Sequence, residues 1–350
     1  MNTLSMTSFL KFGFLRFGFP RFSSFAVIAL LLIVGCGRSD TQSDATTSGA
    51  GDGQKLRIAV IPKGTSHKFW KSVHLGAKRA ADEIGNVEII WRGPVVESDT
   101  GSQIEVVKNM ITMQVDGIAL APNQKGGLVD AVEEAIGEGI PVVIFDSGLD
   151  KGPEIVSYVA TDNFKGGELA ADQMAKAIGE KGNVILLRYL AGSESTERRE
   201  EGFLEGIKKY PYIKVVSSDE FAGDNATGSK EKVDQLLQIH GKDLSAIFAV
   251  CEPNANGALE SLRNAGLTDK VKLIAFDPSD ALIEGMRDGS CGGIVLQNPI
   301  EMGYQSVMSL VKNMRGEEVP AFQSTGEYVA TPLNMDEPEI KKLLNPEMVQ

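Results

Sequence analysis

The chain has 350 residues, a formal net charge of −12, 42% hydrophobic residues and 23% charged residues. That length can hold two domains with cores of their own, and the composition is that of a globular protein. The acidity, with no basic run of five or more residues, excludes nucleic acid as the expected partner.

Residues 1–35 read as a signal peptide. Lys11, Arg16 and Arg21 precede an apolar run at 25–34, about ten residues, short for a membrane span and right for the core of an export signal. Ile33-Val34-Gly35-Cys36 closes the run. Apolar residues, a small residue and then Cys resemble the lipobox of bacterial lipoproteins. The resemblance implies cleavage before Cys36 and lipid attachment there, which would tether a soluble domain to a membrane. Residues 36–54 have no large apolar side chain. They read as a flexible tether, so folded structure is expected from about Lys55.

A strand is expected at 58–61, followed by a polar loop. A helix then places Trp70, Val73, Ala77, Ala80, Ala81 and Ile84 on one face, and Gly85-Asn86 stops it. Lys63, His67, Phe69 and Trp70 thus lie at the carboxyl end of a strand, where open α/β sheets hold ligands. Phe69 and Trp70 are adjacent on a helix and point in different directions, so both are not expected to be plain core. Next come a strand at 87–91 and a helix at 104–113 with Ile104, Val107, Met110 and Ile111 inward. A turn and strand at 116–122, a helix at 128–136, a strand at 141–146 ending in Asp146, and a strand at 155–160 complete this half. Such alternation predicts a parallel sheet with helices on both faces.

The rhythm restarts with a strand at 183–188, a helix at 197–209, a strand at 213–217 and a helix at 228–239. Strands at 246–250 and 271–276 flank a helix at 254–265. A strand at 294–297, a helix at 302–314 and a short strand at 327–331 follow. Residues 58–91 and 184–217 match in kind, which predicts two similar α/β lobes facing a shared cleft. Cys251 ends one predicted strand and Cys291 precedes another. In parallel strands they would sit at opposite edges, about 17 Å apart, whereas bridged Cα atoms lie within roughly 7 Å. No disulfide is expected.

The strand ends offer Lys63, His67, Asp146, Ser147, Arg199, Cys251, Glu252, Asp277, Gln297 and Asn298. Singly, each has an ordinary explanation. An Asp after a strand serves as a cap or turn residue, and Arg199 lies in a charge run fit for a solvated face. Together they suit a polyhydroxylated ligand, because each hydroxyl donates once and accepts twice. Phe69 and Trp70 would cover its C–H faces. His67, His74 and His240 form no HxxxH or HExxH pattern, so no metal is expected. There is no GxSxG and no GxxxxGK[ST], and Gly166-Gly167 and Gly292-Gly293 are too short for a dinucleotide loop. The residues read as a binding protein without cofactor. The enzymatic alternative would use Asp146 and Asp277 as an acid/base pair.

The stretches "IAVIPKGTSHKFWKSVHLGAKRAADEIG", "DGIALAP", "IPVVIFDS", "SYVATDNFKGGELAADQMAK", "ERREEGFLEGI", "GALESLRNAG", "LIAFD" and "GGIVLQNPIEMGYQSV" resemble the periplasmic sugar-binding proteins of ABC importers, of the ribose/galactose type. The resemblance covers nearly all of 56–331. It implies an α/β fold of two similar doubly wound parallel-sheet lobes joined by a three-segment hinge, with a ligand cleft between them. The crossings would fall near 158–163, 297–299 and 325–327. One lobe would be 55–160 plus 299–325, the other 161–298 plus 326–345. Carried over by position, the sugar contacts are Lys63, His67, Phe69, Trp70, Asp146, Arg199, Asp277 and Gln297, with Glu252 joining them from the strand ends. The implied partners are a monosaccharide or related ligand and an ABC permease. The implied location is the periplasm or cell envelope, as a lipid-anchored monomer.

Ribose-binding members usually have small or amide residues at positions 63 and 67, Arg at 147, Asn at 251 and an aromatic near Asp224. These departures predict a ligand other than ribose. Lys63, His67 and Arg199 favour one with a negative or strongly accepting group, such as a uronic acid. The effector domain of a LacI-type repressor shares the fold, but it would need a helix-turn-helix where residues 1–54 show a signal and tether. A sensory lipoprotein feeding a chemoreceptor or kinase is the functional alternative.

Overall fold

The computed structural model describes residues 55–346; the signal peptide, Cys36 and the tether at 36–54 lie outside them. The chain builds its first sheet from β1 (Leu56–Ile61), β2 (Val87–Trp91), β3 (Gly117–Leu120), β4 (Val142–Phe145) and β5 (Ser157–Ala160). Between them run α1 (Lys68–Ile84), α2 (Thr100–Thr112) and α3 (Val129–Gly137). The second sheet uses β6 (Lys181–Leu187), β7 (Tyr212–Ser217), β8 (Leu244–Ala249), β9 (Lys272–Phe276) and β10 (Cys291–Leu296). Its helices are α4 (Asn163–Ile178), α5 (Glu194–Gly206), α6 (Ala226–His240), α7 (Glu252–Asn264) and α8 (Asp280–Asp288). The chain ends with α9 (Pro299–Met314), β11 (Phe322–Ser324), β12 (Tyr328–Ala330) and α10 (Pro338–Leu344).

The two sheets have one topology. Their orders are β11-β5-β4-β3-β1-β2 and β12-β10-β9-β8-β6-β7. All pairs are parallel except β10 with β12. The central strands are buried along their whole length, as in β3 and β4, because helices cover both faces. Each sheet therefore has a core cluster on either side. The strand order reverses between β1 and β3 in one sheet and between β6 and β8 in the other. The carboxyl ends beside such reversals are where doubly wound sheets leave a crevice.

The chain passes between the sheets three times. After β5 it enters α4, which packs on α5 and the second sheet. After β10 it returns through α9, which packs on α1 and the first sheet. After β11 it crosses into β12. Cys251 and Cys291 are both buried and free.

Sequence periodicity missed α4, α8, α10 and β11. Gly166 and Gly167 stand near the start of α4, and glycine lowers helix propensity; the helix forms because Ala170, Ala171, Met174 and Ala175 are buried. Helices α8 and α10 are short, and β11 is a three-residue strand. Helix α2 starts four residues before its expected position, since Asp99 caps it by accepting from the Ser102 N–H at 2.9 Å.

Two helix pairs touch backbone to backbone. A Cβ on Gly76 of α1 would lie 1.9 Å from the Ile300 carbonyl oxygen, and one on Gly303 of α9 would lie 2.0 Å from that of Val73. The second lobe repeats the arrangement. A Cβ on Gly202 of α5 would be 1.9 Å from the Phe164 oxygen, and one on Gly167 of α4 would be 2.1 Å from the Arg199 oxygen. These contacts fix where α1 begins and where Arg199 stands. Gly202→Ala is expected to cost on the order of 3 kcal/mol, because backbone rather than a flexible side chain must yield. Gly137→Ala, whose Cβ would meet nothing within 4 Å, should change stability by no more than about 0.5 kcal/mol. Denaturant unfolding of the two variants measures the contrast.

Candidate functional site

The carboxyl ends of both sheets face one cavity. Lys63, His67, Phe69, Trp70, Asp146, Arg199, Glu252, Asp277 and Gln297 all line it. Glu97, Tyr189, Ser195, Thr196, Cys251 and Pro253 complete the wall. Among the described residues, no group of three or more His, Cys, Asp and Glu side chains could hold a metal ion.

Lys63 follows β1 by two residues and is 3% exposed. Its Nζ lies 3.0 Å from Asp146 Oδ2 and donates to Ser195 Oγ at 2.9 Å. The Ser195 N–H in turn donates to Ser147 Oγ at 3.1 Å. Where an Arg after Asp146 would have supplied a cation, Lys63 supplies it from the end of β1, across β3. The Ser147 hydroxyl is left to join the two lobes.

Arg199 is buried rather than on a solvated face. Its Nε donates to Asn163 Oδ1 at 2.8 Å and its Nη1 to the Val250 oxygen at 3.0 Å. The guanidinium carbon stands 3.7 Å from the centre of the Phe276 ring, a stacked cation–π placement. Its Nη1 is 3.7 Å from Asp277 Oδ2. Gln297 Nε2 donates to both Asp277 oxygens, at 2.9 and 3.1 Å. Gln297 Oε1 is buried and has no partner among the described residues, so it is set to accept one hydrogen bond.

Asp146 and Asp277 occupy the same place in their lobes, one residue past β4 and one past β9. Neither caps a helix. Both adopt the left-handed region, with φ of 62° and 67°, a conformation in which Asp is enriched. The Asp146 N–H donates to the Val159 oxygen at 3.0 Å and the Asp277 N–H to that of Val295 at 2.9 Å. The turn aims each carboxylate out of its sheet into the cavity.

Trp70 and Phe69 serve two purposes. Trp70 is 3% exposed, belongs to the first lobe's core, and meets Phe145 edge-on at 6.4 Å and Phe69 at 4.8 Å. Both rings also face the cavity. The Trp70 Nε1–H donates to Glu97 Oε1 at 2.7 Å, and the Tyr189 hydroxyl donates to Glu97 Oε2 at 2.8 Å from the other lobe. Glu97 sits in the loop between β2 and α2, away from any strand end that periodicity singled out. Tyr189 was more accessible to inference. It follows β6 by two residues, as Lys63 follows β1.

The expectation that Lys63, His67 and Arg199 invite an anionic group is not met by the geometry. Each already faces a carboxylate. His67 Nδ1 is 3.5 Å from Glu252 Oε2, and its Nε2 is 3.6 Å from Glu97 Oε1. The Glu252 contact, with help from Glu97 and Asp224, raises the imidazole pKa above its ordinary value against the opposing effect of burial.

Burial pushes the Asp277 carboxyl up to about 6, although Arg199 and Gln297 pull it down. The folded protein thus holds this proton to a higher pH than the unfolded chain, whose carboxyl ionises near 3.8. The stabilising share of this group is complete below the unfolded value and is lost as pH rises through about 6. Asp277→Asn, which cannot ionise, is expected to stabilise the ligand-free protein by about 1 kcal/mol at about pH 8, after loss of the Arg199 contact, and not at about pH 4. Thermal unfolding at the two pH values checks it.

Two doubly wound lobes with a polar cavity at their facing strand ends define a two-lobed α/β ligand-binding protein. The chain belongs to the periplasmic binding protein family: the model of the periplasmic binding protein domain matches residues 58–318. It is 29% identical over 267 residues to the ribose import binding protein RbsB of Escherichia coli, covering 76% of this chain and 88% of that one. It is 28% identical over 294 residues to the D-ribose/D-allose-binding protein of Pseudomonas aeruginosa, covering 81% and 89%. Among solved structures it is similar to a carbohydrate transporter solute binding protein from Agrobacterium radiobacter in complex with D-arabinose. That match has a TM-score of 0.79 and 32% identity over 83% of this chain and 99% of the other. An ABC transporter solute binding protein from Agrobacterium vitis with bound D-fucose matches with a TM-score of 0.79 and 35% identity over 82% and 99%. Like these relatives, the chain is a binding protein and not an enzyme.

Proposed function

We propose that the protein is an extracytoplasmic solute-binding lipoprotein of an ABC importer, which takes up a monosaccharide or related polyhydroxylated ligand and delivers it to a permease. The observation that carries this reading is the meeting of Lys63, Asp146, Arg199, Asp277 and Gln297 in one cavity between two lobes. In it, Asp146, Asp277 and Gln297 Oε1 accept from ligand hydroxyls. Arg199 and Lys63 donate to them, and Phe69 and Trp70 cover the ring's C–H faces. A buried hydroxyl left unpaired costs about 1–3 kcal/mol, so such a site separates epimers.

Residues 55–160 plus 299–325 form one moving body in this proposal and 161–298 plus 326–345 the other, with the three crossings as hinge. Periplasmic binding proteins are a standing example of hinge closure around ligands. A ligand held by both lobes favours the closed form by its differential affinity for it. The protein works as a monomer, and lipid on Cys36 holds it at the cell envelope.

Thermal unfolding of the purified protein against a panel of monosaccharides tests the proposal. At a hundred-fold excess over Kd, a bound sugar adds about 2.7 kcal/mol. Asp277→Ala and Arg199→Ala should abolish that gain. Trp70→Ala should abolish it too, at a cost of about 3–5 kcal/mol to the ligand-free protein, since the ring is core as well as wall. An undiminished gain in Asp277→Ala and Arg199→Ala would place the sugar elsewhere.

A further inference from the structure

We infer that Glu97, facing Glu252 across His67, sets the charge specificity of the cleft, so that it admits an uncharged sugar and rejects a sugar acid or phosphorylated sugar. The inference rests on the reading of the cavity as a sugar site.

The charges at the wall do not balance. Glu97, Asp146, Glu252 and Asp277 face two permanent cations, Lys63 and Arg199. Lys63 is matched to Asp146 at 3.0 Å and Arg199 to Asp277 at 3.7 Å. Glu97 and Glu252 are left with one imidazole between them, at 3.6 and 3.5 Å. Above about pH 6, where Asp277 is ionised, even a protonated His67 leaves one carboxylate in surplus.

Their other partners are neutral. Glu97 takes the Trp70 indole and Tyr189 hydroxyl protons, and Glu252 Oε1 takes the Asn256 amide at 2.6 Å. Hydrogen bonds of this kind orient a carboxylate without cancelling its charge. Asp224 adds to the same field from the second lobe, where Ser98 donates to it through its hydroxyl at 2.6 Å and its N–H at 3.2 Å. Lys68, next to His67, is drawn to Asp280 at 3.6 Å.

The two glutamate side chains are only 12% and 19% exposed, so water screens them weakly. A ligand hydroxyl gains a charge-assisted hydrogen bond by donating to either. A ligand carboxylate or phosphate has no proton to donate and brings another negative charge into a space with no unmatched cation. Glu97 is also held by both lobes, through Trp70 and Tyr189, so its charge is present whenever the cleft is shut.

Isothermal titration calorimetry of the intact protein decides the point, with D-galactose, D-glucose and D-ribose as neutral probes and D-galacturonate, D-glucuronate and ribose 5-phosphate as their anionic counterparts. The wild type should bind at least one neutral probe, and its counterpart about a hundredfold more weakly or not at all. Glu97→Gln should narrow that gap about tenfold, and Glu252→Gln should narrow it in the same direction. The second variant keeps the test open should Glu97→Gln fail to fold. An anionic probe bound as tightly as its neutral counterpart overturns the inference and leaves the sugar site standing. A gap unmoved in both folded variants also overturns it. Heat from none of the six probes counts against the sugar-site reading itself, and the inference falls with it.

Discussion

Asp146 and Asp277 are taken out of water at the ends of two central strands, and the rest of the cleft follows from keeping those carboxylates solvated by protein. Each needs donors within reach. Lys63, itself held by Ser195, reaches the first, and Arg199 and Gln297 lie against the second. Arg199 must then be held itself, by Asn163, the Val250 carbonyl and the Phe276 ring. A buried charge is tolerated only when paired and hydrogen-bonded. The network is therefore rigid on the protein side, and the few polar atoms left over, such as Gln297 Oε1, define what a ligand must offer.

That rigidity has a backbone origin. The glycine contacts between α1 and α9 and between α4 and α5 leave no room for helices to slide. The side chains at the cavity inherit their positions from packing well behind it. Arg199 illustrates this: its carbonyl is pressed against Gly167 while its guanidinium reaches the site. A site carried by regular elements locked at such contacts is better preorganised than one carried by loops.

Much of this was legible in the chain. Strand and helix alternation exposed both lobes; polar residues at strand ends marked Lys63, His67, Asp146, Arg199, Glu252, Asp277 and Gln297, and the adjacent Phe69 and Trp70 stood out at the head of a helix. What stayed hidden had physical reasons. Glu97 lies in a loop with no periodicity, and only the fold brings it to Trp70 and Tyr189. Helix α4 carries Gly166 and Gly167 near its start, which weaken its signal in sequence, and their close packing is seen only in the fold. Charge balance was misjudged because residue type reveals a cation but not its partner. Lys63 and Arg199 look available in sequence and are engaged in space.

Polar contacts join the lobes around the cavity, among them Lys63 with Ser195, Glu97 with Tyr189, Ser98 with Asp224, and His67 with Glu252. Water can replace each of them when the lobes part, so each contributes little net free energy to closure. An apolar seam would behave differently, since opening it would expose surface at about 25 cal/mol per Å². The gap is thus built from interactions that align the lobes without committing them to stay together. Binding energy is then available to do the committing, because a ligand that uses Asp146 and Asp277 at once can reach both only when the two strand ends face each other.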